Sequence, residues 1–103
     1  MQANWVATVV NNASQLNRLT GMRISLDISL YPLHQDYKQP ILDFIEALRQ
    51  YDQLELRYNS LSTQLFGEFD EVWRALGEEL PKAFGAQHTS VAVIKVVSVD
   101  VIE

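Results

Sequence analysis

The stretch from Arg23 to Tyr31 constrains this chain more than any other. Ile24, Leu26, Ile28 and Leu30 alternate with Arg23, Ser25, Asp27, Ser29 and Tyr31. A period of two sustained over this length is a strand with one apolar face and one polar face. Pro32 ends it, because proline brings no N–H to a ladder. A strand of this kind needs a sheet whose first face is packed and whose second face meets something more polar.

The remaining pattern supplies that sheet. Pro40 suits the first turn of a helix, and Ile41, Phe44, Ile45, Leu48 and Tyr51 follow at helical spacing, with an end expected near Asp52. Leu54, Leu56 and Tyr58 alternate with Glu55, Arg57 and Asn59 as a second strand. Ser60-Leu61-Ser62 turns the chain into a third, over Thr63 to Phe69. Asp70 is the expected N-cap of a second helix carrying Val72, Trp73, Leu76, Leu80 and Phe84 as its buried stripe. Pro81 is expected to kink or restart it, and Gly85 to terminate it. Ser90 to Val101 reads as a last, valine-rich strand. The order strand, helix, strand, strand, helix, strand predicts an α+β, ferredoxin-like βαββαβ sandwich, a four-stranded antiparallel sheet with two helices on one face. Residues 22–103 form this domain. Residues 1–21 read as an N-terminal extension, a short helix bearing Val6, Val9, Val10, Ala13, Leu16 and Leu19 or a disordered arm.

Composition narrows the function classes. A chain of 103 residues can bury one core unaided. It contains no cysteine, so disulfides and thiolate metal sites are excluded. A net charge of −5, with its eight basic residues scattered singly, argues against nucleic acid. No apolar run approaches the ~18 residues of a membrane span, and the start lacks the basic region of a secretory signal. The expected location is cytoplasmic. His34 and His88 fall in loops and read as solvated side chains, and no metal-ligand spacing occurs, so no cofactor is expected.

Three short segments then stand out in order. They are Ser29-Leu30-Tyr31-Pro32-Leu33, the run Asn59-Ser-Leu-Ser-Thr-Gln-Leu-Phe-Gly-Glu68, and the helix start Gly-Glu-x-Asp-Glu-Val-x-x-Ala-Leu from Gly67 to Leu76. In this order and spacing, over Arg23 to Asp100, the chain resembles the YkoF-like family of thiamine and hydroxymethylpyrimidine-binding domains. The resemblance implies a non-catalytic binding protein, with ligand-binding residues among Asp27, Ser29, Tyr31, Ser62, Thr63 and Gln64. It also implies thiamine or its hydroxymethylpyrimidine moiety as ligand, and a carrier or an accessory to uptake or salvage.

The residues have readings of their own. Asp27 sits mid-strand on the polar face, where a covered carboxylate needs a cation or donors. Candidate partners are Arg23, Arg57, Lys95 or a ligand amine. Ser62, Thr63 and Gln64 offer hydroxyls and an amide that can read the edge of an aminopyrimidine, or equally serve turn chemistry. Which of them points inward is open, since both faces of that strand look alike. Tyr31 can stack on a ring; Tyr58 and Phe66 are weaker versions of the same idea. Trp73 reads as core.

The final strand is apolar on both faces, with Val91, Val93, Val97, Val99 and Val101 on one and Ala92, Ile94 and Val96 on the other. As an edge strand it invites pairing, which predicts a homodimer or higher homo-oligomer. Two other functions fit the same architecture: a small dimeric oxygenase or isomerase, with Asp27 and Tyr31 as base and donor, and an oligomeric regulatory domain for another metabolite.

Overall fold

The computed structural model describes residues 21–85 and 88–102; the expected extension over residues 1–21 lies outside them except for Gly21. The elements are β1 (Arg23–Pro32), α1 (Lys38–Arg49), β2 (Glu55–Tyr58), β3 (Thr63–Glu68), α2 (Phe69–Phe84) and β4 (Ser90–Val97). They form one antiparallel sheet in the order β2-β3-β1-β4. Both helices pack on the same face, so the ferredoxin-like βαββαβ sandwich is the observed fold.

The core is the apolar face of β1 with what covers it. Ile24, Leu26, Ile28 and Leu30 are buried against Phe44 and Leu48 of α1, Leu65 of β3, and Val72, Ala75 and Leu76 of α2. Each such side chain stabilises the fold by roughly 1.5–3 kcal/mol through its removal from water. Gly67 on β3 is closely packed: a Cβ there would lie 2.7 Å from Leu54 Cδ2, so the end of that side chain would have to shift to admit one. The backbone enters β1 through Gly21, whose φ of 89° is a left-handed conformation that a side chain would strain.

Several boundaries differ from the sequence pattern. α1 begins at Lys38, which puts Pro40 at the third helical position, still inside the turn whose N–H groups lack partners. α2 begins at Phe69, so Glu68 and not Asp70 precedes it, and it makes no side-chain cap bond. Asp70 instead takes the Glu71 N–H at 3.0 Å from within the first turn. Pro81 neither breaks nor restarts α2, which runs through it to Phe84. Gly85 closes the helix with right-handed φ of −73°, its N–H bonded to Pro81 O. Trp73 and Phe84 are exposed, leaving Val72, Ala75 and Leu76 as the buried stripe.

β4 is an edge strand but stops at Val97. The chain beyond it leaves the ladder and is caught by Ser25. The Ser25 hydroxyl donates to Val99 O at 2.8 Å and accepts the Val101 N–H at 2.8 Å. Arg23 Nε donates to Asp100 Oδ2 at 2.8 Å alongside. Hydrogen bonding from the Ile102 N–H and from Arg23 holds the Asp100 carboxyl below its ordinary range. No helix among the described residues is long and apolar enough to cross a membrane.

Candidate functional site

Antiparallel register decides which side chains meet. Asp27 lies opposite Gln64 of β3 and opposite Lys95 of β4, so all three share the sheet face that the helices leave open. Thr63 lies opposite Ile28 and Tyr58, on the helix-covered face. The two faces that looked alike along β3 are thereby separated.

On the open face, Asp27, Ser62 and Gln64 form one cluster. The Ser62 hydroxyl donates to Asp27 Oδ1 at 2.6 Å. Gln64 Nε2 donates to the same oxygen at 3.0 Å and to Ser62 Oγ at 2.7 Å. Burial works against the Asp27 charge, but the Ser62 and Gln64 donors and the Lys95 ammonium outweigh it, so the carboxyl is held below its ordinary range. Lys95 acts here through its field and not through an ion pair. Both donors use Oδ1, which leaves Oδ2 with none of these bonds. Ser29 donates to Leu61 O at 3.3 Å on the same side.

The segment joining β2 to β3 is rigid for a reason visible in its sequence. Asn59 Oδ1 accepts the N–H groups of Leu61 and Ser62 at 2.8 and 3.0 Å, and Asn59 N–H donates to Ser62 O at 3.0 Å. An Asn that mimics a backbone turn in this way holds the two strand ends together.

Next to this turn, between the end of β1 and the start of α1, is a cleft of ≈ 320 Å³. One wall is aromatic and aliphatic, with Tyr31, Pro32, Tyr37, Ile41 and Phe44; the other carries Asn59, Ser60, Ser62 and Thr63. Thr63 lines the cleft and is only 5% exposed. Ser62 belongs to both regions, lining the cleft while its hydroxyl is engaged with Asp27.

Of the six residues expected in the site, Asp27, Ser62 and Gln64 are brought into direct contact. Ser29 supports the turn, Thr63 faces the cleft, and Tyr31 is half exposed at the cleft rim. Tyr37 and Asn59 belong with them and were missed. Asn59 carried a signal, an Asn at the start of a polar turn; Tyr37 reaches the cleft only through the tertiary fold. Tyr58 lies beneath the Arg49 guanidinium, 5.6 Å from its ring centre, outside the cleft. Phe66 is buried opposite Ser25 on the open face.

The histidines lie in loops, as expected, but they are not independent of each other. His34 and His88 are stacked, ring centres 3.8 Å apart and 7° from parallel, with the Asp36 N–H donating to His34 Nδ1 at 3.1 Å. With the Leu33 N–H bonded to Thr89 O at 2.9 Å, the stack ties the β1–α1 loop to the chain before β4. Among the described residues no group of three or more His, Cys, Asp or Glu side chains is placed to hold a metal ion.

No family model and no curated protein matches the sequence. Solved structures do resemble it. A hypothetical protein, MJ1052, from Methanocaldococcus jannascii superposes with a TM-score of 0.67 at 23% identity, over 80% of this chain and 86% of that one. A protein from Thermotoga maritima described as "a putative thiamine biosynthesis/salvage protein" gives 0.65 at 18% identity, over 73% and 82%. The domain of unknown function DUF77 from Bacillus cereus gives 0.64 at 18% identity, over 79% and 83%. At these identities the likeness establishes a shared fold.

Proposed function

We propose that this chain is a non-catalytic binding module for thiamine or its hydroxymethylpyrimidine moiety, acting as a carrier or an accessory to uptake or salvage in the cytoplasm. The observation that carries the reading is the cleft, which sets an aromatic wall against a strip of neutral hydrogen-bonding groups. An aminopyrimidine presents ring-nitrogen acceptors and an amine donor at its edge and flat apolar faces on either side. Tyr31, Tyr37 and Phe44 suit the faces. The hydroxyl of Thr63 and the amide of Asn59 suit the edge.

Asp27 has a separate part. Its carboxylate stays ionised, so it is a weak proton acceptor and a good counter-charge. A thiazolium at the cleft mouth is compensated by it across Ser62. Ser62 itself is committed to Asp27 and Gln64, and the carboxylate beside it, its pKa lowered, is a weak base for making it a nucleophile. The Thermotoga maritima likeness supports the same ligand class.

The module is a homodimer or higher homo-oligomer in this reading. Val91 and Val93 on the open face are exposed, and β4 offers an unpaired edge beside them.

Calorimetric titration with thiamine and with hydroxymethylpyrimidine tests the proposal. The expected result is micromolar binding of at least one, weakened about fivefold by Thr63→Ala, which removes a hydroxyl worth about 1 kcal/mol when paired. Flat traces for both ligands, from protein that melts cooperatively, would sink it.

A further inference from the structure

Among the described residues the cleft lining contains no charged side chain: these residues are aliphatic, aromatic, hydroxyl or amide throughout. The charged groups around it are arranged unevenly. At the Ser62 edge stands Asp27, ionised and held by two donors. Lys95 faces Asp27 across the sheet, on the open side and away from the cleft. Lys38 follows Tyr37 at the start of α1, exposed and outside the lining.

From this we infer that the cleft selects the unphosphorylated form of its ligand, admitting a neutral aromatic ring bearing a free alcohol and rejecting its phosphate ester. The inference rests on the binding reading above and names the ligand class of that same cleft. A phosphate monoester carries close to two negative charges at neutral pH. Inside the cleft it would lose water with no ammonium or guanidinium to replace it, and buried charges demand such partners. At the Ser62 edge it would meet the Asp27 carboxylate. Among the described residues of the cleft, the feature favouring an anion is the N-terminus of α1, which lacks a side-chain cap. It offers about half an elementary charge, and Pro40 removes one of its free N–H groups. That partial charge is outweighed by a dianion without a counter-ion.

Sequence alone hides this selectivity, because Lys38 and His34 sit close along the chain to Tyr31 and Tyr37. Their proximity suggests a basic rim. The structure turns His34 away into its stack with His88 and leaves Lys38 outside the lining.

The test is ligand-observed NMR titration of the whole chain at pH 7.5 with two matched pairs. These are hydroxymethylpyrimidine with its monophosphate, and benzyl alcohol with benzyl phosphate. Each alcohol is expected to bind at least tenfold tighter than its ester. Asp27→Asn narrows that ratio by removing the rim charge, and Ser60→Lys, a change at an exposed turn position of the lining, narrows it further by supplying a cation. Thermal melts of both variants confirm that they fold. An ester that binds as tightly as its alcohol in the unaltered protein overturns the inference, as does silence from all four compounds. Preference for benzyl alcohol over benzyl phosphate, with both pyrimidines silent, upholds the charge selection while removing the thiamine reading.

Discussion

Asp27 shows how one residue can serve stability and site together. Its folded carboxyl titrates below the ordinary value of ~3.9, burial being outweighed by the Ser62 and Gln64 donors and by Lys95. A depressed folded value means the carboxylate stabilises the fold above the unfolded pKa, and that this contribution disappears as pH falls through the folded one. Asp27→Asn keeps the shape and an acceptor for Ser62 but removes the charge. The variant is expected to lose about 1 kcal/mol at pH 7 and to converge on the parent protein at an acidic pH below the folded pKa, where the parent carboxyl is also neutral. Urea denaturation at the two pH values measures this. A gap of equal size at both would mean that the charge contributes nothing and only the amide's altered geometry matters.

At the scale of elements, two contacts between distant parts of the chain define where elements end. Tyr51, just past α1, donates its hydroxyl towards Glu78 Oε1 at 2.6 Å and Glu79 Oε2 at 2.8 Å on α2. Burial first, and then the two carboxylates, push its pKa far up. A raised folded pKa contributes stability below the unfolded value of ~10 and loses it as pH rises through the folded one. Tyr51→Phe is expected to cost about 1.5 kcal/mol, since one proton then no longer serves two acids. Glu78→Gln in that background should return part of it, read from melting temperatures. Ser25 is the second such contact, catching the chain after β4 through Val99 and Val101. Ser25→Ala is expected to cost about 1 kcal/mol and to speed amide exchange at Val101 selectively. These contacts also mark what the sequence could reveal. β1 was legible because its alternation is complete and Pro32 stops it locally. The end of β4 was not: Val97, Val99 and Val101 continue the period, and what stops the strand is a hydroxyl on β1. Asp27, Ser62 and Gln64 could be singled out one by one, but the sequence pointed Asp27 to Arg23, Arg57 or Lys95, and its bonds to Ser62 and Gln64 were not legible there. Their division from Thr63 awaited the register of β3 on β1, because Thr63, Leu65 and Gly67 look no more apolar than Gln64, Phe66 and Glu68. The His34–His88 stack left no local trace, each histidine resembling any loop residue.

The whole molecule is a half-finished sandwich: helices cover one face of the sheet, and its other face is polar at the centre and apolar along one border. That border is β4, where Val93 is 57% exposed and Val91 44%, with the half-exposed Tyr31 beside Val91 on β1. Isolated exposed valines are common, but here they adjoin an edge strand whose outer backbone groups have no ladder partner among the described residues. An apolar edge of that kind is the surface that natural proteins protect. Charges on Asp27 and Lys95 at the centre of the face set a limit on what covers it, since a partner must leave them hydrated or match them. A second copy related by a two-fold axis meets both demands, placing β4 against β4 while the polar centres stay at the periphery of the contact. Val93→Lys puts a charge into that border without touching the core, because position 93 faces away from the helices. Sedimentation velocity across a hundredfold concentration range is expected to show a mass near twice that of the chain for the parent protein. Val93→Lys should give the mass of one chain, with an unchanged far-ultraviolet spectrum. A parent protein of single-chain mass throughout would mean that the cleft is complete within one copy, and that the valines of β4 serve the edge of a monomer.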